Sequence, residues 1–180
     1  MLISIKKRLL LFFVAAIFFL CIFYAGYSFK MDESFSKELS KNFINQIRDI
    51  DELGIFFNNL KIALVMFIPI IGIIMGTISG FSTGLVFNSI INLSDTVSYT
   101  NPLIIFLTPF GILELLSYGL AISRGGILFF ELIKRKFTKK SLIYLLIEVV
   151  LVGIMLFTGA IIEWMMIENI PRYNFTLYST

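Results

Sequence analysis

Pro109–Gly126 reads PFGILELLSYGLAISRGG. The stretch is apolar enough to lie in a bilayer, yet it opens on the helix-breaking Pro109-Phe110-Gly111 and carries a carboxylate, Glu114, and a guanidinium, Arg124. Ionisable groups at membrane depth cost ~2.5–3.5 kcal/mol each on insertion scales and face protein or water rather than lipid. Such a segment needs neighbours that cover it. The rest of the chain is read as those neighbours.

The composition agrees. Of 180 residues, 58% are hydrophobic and 15% charged, against about 25% charged in a soluble domain. The apolar residues are gathered into long uncharged runs, as in a polytopic membrane protein. With no histidine and a single cysteine, Cys21, the chain has no Cys/His zinc site, no His-based triad and no internal disulfide. The net charge of +3 is read as the positive-inside bias of a membrane protein, not as a nucleic-acid footprint.

Lys6, Lys7 and Arg8 precede Leu9–Phe29, 21 residues without a charge. That run exceeds the 7–15 residues of a signal-peptide core, so a retained span at 9–29 with a cytoplasmic N-terminus is expected. Residues 32–56 change character. Phe35, Leu39, Phe43, Ile47, Ile50 and Leu53 recur at helical spacing, with Lys37, Glu38, Lys41, Arg48, Asp49 and Glu52 on the other face. This predicts an extracytoplasmic amphipathic helix, lying apolar face down in the interface or offering Leu39, Phe43 and Ile47 to a partner.

Ile62–Ser94 is uncharged over 33 residues, a helix of ~50 Å against a core of ~30 Å. The run must bend or turn back. Spans at 60–80 and, shorter or re-entrant, at 81–94 are expected. Gly72, Gly76, Gly80 and Gly84 follow at strict intervals of four, a stripe that lets another helix approach closely. It fits a packing groove within the chain, a dimer seam, or a hinge or pore lining.

Pro109 ends or kinks a helix, so a broken span at 103–133 is expected, with two half-helices meeting near Pro109–Gly111. Lys134, Arg135, Lys136, Lys139 and Lys140 form the densest basic cluster and are placed in the cytoplasm. Ser141 is a candidate cap for the last span, 141–163, and Arg172 with the tail after Pro171 falls outside. The expected class is all-α: a single membrane domain of about five spans, C-terminus outside, with a re-entrant hairpin at 80–123 as the alternative to full crossings.

Glu114, Glu148 and Arg124 are the ionisable groups at depth. Glu114 and Tyr118, four apart, could share a hydrogen bond. Arg124 lies ~15 Å further along the helix, so any charge partner of Glu114 must come from elsewhere. Glu131 and Arg135 suggest a surface pair. No nucleophile–base pair, phosphate loop, dinucleotide fingerprint or metal-ligand set is visible; no enzyme, cofactor or metal is expected.

Phe56-Phe57-Asn58-Asn59-Leu60, the glycine ladder, and Pro109-Phe110-Gly111-Ile112-Leu113-Glu114 together resemble the stage II sporulation protein M family. Its motif has the form Asn-Asn-Leu followed by Pro-His-Gly-x-x-Glu, which places Asn59, Pro109, Gly111 and Glu114 at motif positions. Phe110 stands where the family has histidine, so any hydrogen bond or proton relay that such a histidine would contribute is lacking here, which disfavours catalysis through that position. The resemblance implies a non-enzymatic membrane component that works with other membrane proteins, in spore formers to localise cell-wall-degrading machinery. The leading expectation is a membrane scaffold contacting lipids and other membrane proteins, with a homodimer open. A transport or lipid-translocating subunit with a pathway near Glu114 is the alternative.

Overall fold

The computed structural model describes residues 4–47, 50–93 and 101–168. The loop expected between Ser94 and Thr100, Arg48 and Asp49 of the amphipathic helix, and Arg172 with the tail after Pro171 lie outside the described residues. The described chain is helical throughout: α1 (Ile5–Tyr27), α2 (Glu33–Ile47), α3 (Glu52–Met66), α4 (Ile71–Leu93), a short 3-10 helix (Pro102–Leu107), α5 (Pro109–Ile133) and α6 (Lys139–Glu168). Four of these, α1, α4, α5 and α6, are long and apolar enough to cross a membrane. The 15 residues of α3 reach only ~22 Å.

Local chemistry sets the boundaries. Thr108 caps α5, its Oγ1 accepting from the Gly111 N–H at 3.1 Å, and Pro109 takes the first helical position, where a missing N–H is harmless. The break expected at Pro109 is present, between the 3-10 helix and α5, but its two sides are unequal: Pro109–Gly111 starts a helix that runs unbroken for 25 residues. A Cβ on Gly111 would stand 2.1 Å from the Ile105 carbonyl oxygen, so glycine lets the 3-10 helix fold against the first turn of α5.

The sharp break comes earlier. Pro69 has no N–H to donate, and Ile70 takes a left-handed φ of 66°. The chain reverses between Met66 and Ile71, and α3 and α4 form a hairpin. The boundary expected near residue 80 falls inside α4, which carries Gly72, Gly76, Gly80 and Gly84 on one helix. The amphipathic stretch expected over 32–56 divides as well, because Asp51 starts α3 by accepting from the Gly54 N–H at 2.7 Å. Within α2 it is Ser36 and Ser40 that are buried, while Leu39, Phe43 and Ile47 are half-buried and Phe35 is exposed.

Contacts fix the directions. Gly80 meets Phe19 and Gly84 meets Phe23 and Tyr27, so α1 and α4 are parallel. Ala16 lies against Gly119 and Arg8 against Ser123, so α5 runs the other way. α6 opposes α5, with Glu148 beside Arg124 and Gly159 beside Leu113. α3 descends alongside α5, from Asn59 beside Glu114 to the carbonyls of Met66, Phe67 and Ile68 beside Gly125. Both arms of the hairpin thus point away from the lysine-rich end of α5. Its tip stops at Gly125, nine residues or roughly 13 Å before Lys134.

α5 is the centre of the bundle. Eleven of its residues are buried, against five each in α1 and α6. Around it pack Phe19, Phe23, Met66, Phe106, Val152 and Leu156, with the Phe23 and Phe106 rings edge to face at 4.8 Å. The outward sides of α1 and α6 expose Leu10, Phe13, Ile17, Leu146, Val150 and Ile154, an apolar belt suited to lipid.

Close approach of α1 and α4 depends on glycine from both. A Cβ on Gly84 would lie 2.1 Å from the Phe23 carbonyl oxygen, and one on Gly26 2.2 Å from that of Phe81. Gly84→Leu is expected to cost ~1–3 kcal/mol or more by overpacking. Gly153→Ala, whose new Cβ meets nothing within 4 Å, should be neutral or slightly stabilising. Thermal unfolding of the detergent-solubilised protein checks both, and equal melting of the two variants would contradict the packing.

Candidate functional site

The polar groups at depth fall into two sets. The first joins three helices. Glu148 on α6 receives Arg124 of α5 in a two-pronged pair, with Nε to Oε2 at 2.7 Å and Nη2 on Oε1. The same carboxylate receives Arg8 of α1, Nε to Oε1 at 3.0 Å and Nη2 to Oε2 at 2.9 Å. Arg8 further donates to the Ser123 hydroxyl at 2.7 Å and to the Leu120 carbonyl at 3.4 Å. Side-chain exposures of 18%, 7% and 13% for Arg8, Arg124 and Glu148 place the cluster inside the bundle. One carboxylate shared by two guanidiniums leaves a net positive charge.

The second set lies towards the other end of α5. Asn59 of α3 donates its side-chain amide to Glu114. Two motif positions 55 residues apart in sequence are thereby brought into contact. Glu114 bonds Asn59 rather than Tyr118, whose ring instead packs on Phe19 at 5.2 Å. Pro109 and Gly111 shape the start of α5 and touch neither set. Phe110 is half-buried, with its carbonyl oxygen 3.7 Å from a Cβ placed on Gly159.

The glycine ladder serves several neighbours. A Cβ on Gly72 would strike the Met66 carbonyl of the hairpin turn at 2.0 Å, and one on Gly76 the Ile122 side chain of α5 at 2.6 Å. Gly80 and Gly84 face α1. All four glycines therefore meet their own chain.

Two residues were misread or missed in the sequence. Arg8 counts there as a flanking charge; its long side chain in fact turns inward to Glu148, a partnership for which an arginine just before an uncharged run gives no distance information. The expected Glu131–Arg135 pair does not form, because Arg135 is left-handed at φ 50° and has left the helix that would have stacked it over Glu131. Among the described residues no group of three or more His, Cys, Asp or Glu is placed to hold a metal ion.

A helical bundle with four membrane-length helices and ion pairs buried between three of them is an α-helical membrane protein. A family model described as Stage II sporulation protein M matches residues 9–166, and the chain belongs to that family. No curated protein and no solved structure matches it.

Glu148→Gln leaves two guanidiniums short of a counter-charge and is expected to lose ~3–5 kcal/mol. Glu114→Leu, which strands the Asn59 amide, should cost ~1–3 kcal/mol, whereas Glu114→Gln can still accept that bond and should cost less. Detergent thermal melts order the three variants. Stability of Glu148→Gln equal to the parent would show that the shared carboxylate is not holding the helices.

Proposed function

We propose that this protein is a non-catalytic membrane scaffold that holds partner membrane proteins in the cell envelope. One observation carries the reading. The charged groups at the centre, Arg8, Glu148 and Arg124, are spent on one another across three helices, and Glu114 is spent on Asn59, which ties α3 to α5. A reaction centre needs groups left available to a substrate; here they are used to fix helix positions. Such a rigid frame suits a protein whose task is to present a surface.

The surface proposed for partners is α2. It stands outside the hydrophobic bundle, with Phe35 half exposed to its surroundings and the Glu33–Lys37 pair at 2.6 Å on its outer side. Leu39, Phe43 and Ile47 are half-buried and complete the same apolar stripe. The basic residues gather at the opposite end of the bundle. By the positive-inside bias that end belongs in the cytoplasm, which puts α2 outside.

Two measurements check this. Cysteines introduced at Ser4 and Asp32, with Cys21 replaced, should react with an impermeant thiol reagent only at Asp32 in intact cells. A photo-reactive residue at Phe35 should give discrete protein adducts in native membranes that disappear when Leu39→Asp and Phe43→Asp are combined. Adducts with lipid alone would defeat the scaffold reading. Ion or lipid flux in reconstituted vesicles that is abolished by Glu114→Gln would replace it with the transport alternative.

A further inference from the structure

Two of the longest helices begin side by side at the end of α5. Ser4 caps α1. Thr138 caps α6, its Oγ1 accepting from the Ser141 N–H at 3.3 Å while Ser141 Oγ accepts from the Thr138 N–H at 3.4 Å; Ser141 answers the cap instead of forming it. Helix starts carry partial positive charge and ordinarily favour Asp or Glu. Neither α1 nor α6 has an acidic residue in its first turn, and α6 opens with Lys139 and Lys140.

Between these helix starts and the α5–α6 turn lies a cavity of about 690 Å³, lined by Lys7, Lys134, Lys136, Lys139, Lys140 and Glu131 among others. A second cavity of about 440 Å³ shares Ser4, Ile127, Glu131 and Ser141 with the first and continues inward to Arg8, Arg124 and Glu148. The turn that presents the lysines is held by its backbone: Lys136 N–H donates to the Glu131 carbonyl at 2.8 Å and Arg135 N–H to that of Leu132 at 3.0 Å, a Schellman closure. Five ammonium groups around one cavity repel each other, and the triad beneath adds a further positive charge. Glu131 contributes a buried Oε2 that has no hydrogen-bond partner. The flanks are apolar, with Ile5, Phe130 and Leu142 exposed.

We propose that this cavity binds an anionic phospholipid whose headgroup carries a phosphodiester and a hydroxyl, as in phosphatidylglycerol. The phosphate meets the lysines and the unpaired N–H groups of the two helix starts, as anions do at helix N-termini. The hydroxyl donates to Glu131 Oε2, and the acyl chains lie along Ile5, Phe130 and Leu142. A free phosphate would satisfy the charges and leave the apolar walls uncovered. Basic pockets between membrane helices recognise lipid headgroups in this way.

The full-length protein in detergent, titrated with lipids and read by native mass spectrometry, tests the proposal. Phosphatidylglycerol should be retained about tenfold or more over phosphatidylcholine. Each of Lys136→Ser, Lys139→Ser and Lys140→Ser should weaken it about fivefold, and Glu131→Leu should erase its advantage over phosphatidic acid, which lacks the headgroup alcohol. Should the lysine variants fail to fold, the unaltered protein still decides: a photo-reactive phosphatidylglycerol should label peptides within residues 4–8 or 127–148. Equal retention of the two lipids, labelling elsewhere, or displacement by glycerol phosphate at equal concentration would each overturn the lipid site.

Discussion

Charge inside an apolar medium is tolerated only when it is answered at contact distance, and this constraint organises the whole molecule. Arg124 sits on the most enclosed helix, where a lone guanidinium would be untenable. Glu148 answers it, and Arg8 is drawn from the start of α1 to share the same carboxylate. Because the three residues lie on three helices, meeting this electrostatic need fixes α1, α5 and α6 relative to one another. Ion pairs of this sort add little net stability over apolar packing. They do specify one arrangement of helices that are otherwise all similarly greasy.

Where charge does not set the distance, missing side chains do. With lipid on the outside there is little hydrophobic gain in bringing two helices together, so van der Waals contact carries the association. Gly84 and Gly26 remove the bulk that would keep α4 from α1, and Gly125 clears room for the carbonyls at the tip of the α3–α4 hairpin. Non-helical backbone at such a depth must be covered by protein. The carbonyls of Met66, Phe67 and Ile68 at the tip lie against Gly125 of α5, so the helix that needs shielding also shields part of this turn.

Much of this was legible in the sequence because it rests on long-range averages. The uncharged runs and the amphipathic periodicity gave the helical membrane class, and the order of the Asn-Asn-Leu and Pro-Phe-Gly-x-x-Glu motifs gave the family. Proline was harder to read. Pro69 and Pro109 look alike in one dimension, yet Pro69 precedes a left-handed residue and reverses the chain, while Pro109 sits behind a threonine cap and begins a helix. The polar contacts were only half visible. Glu114, Asn59, Arg124 and Glu148 stand out as costly residues, but which of them meet depends on helix directions that spacing along the chain does not encode. Arg8 shows the limit best, since its role is set by a side chain reaching back into the bundle.

The hairpin also bears on how the molecule is made. The tip carbonyls at Met66, Phe67 and Ile68 rest on Gly125, which is synthesised 59 residues after Met66. At ~5–20 residues per second, translation leaves that turn without its cover for roughly 3–12 s. The contact between the hairpin tip and Gly125 can form only once the central helix has been made, so closing this part of the fold is a long-range docking step.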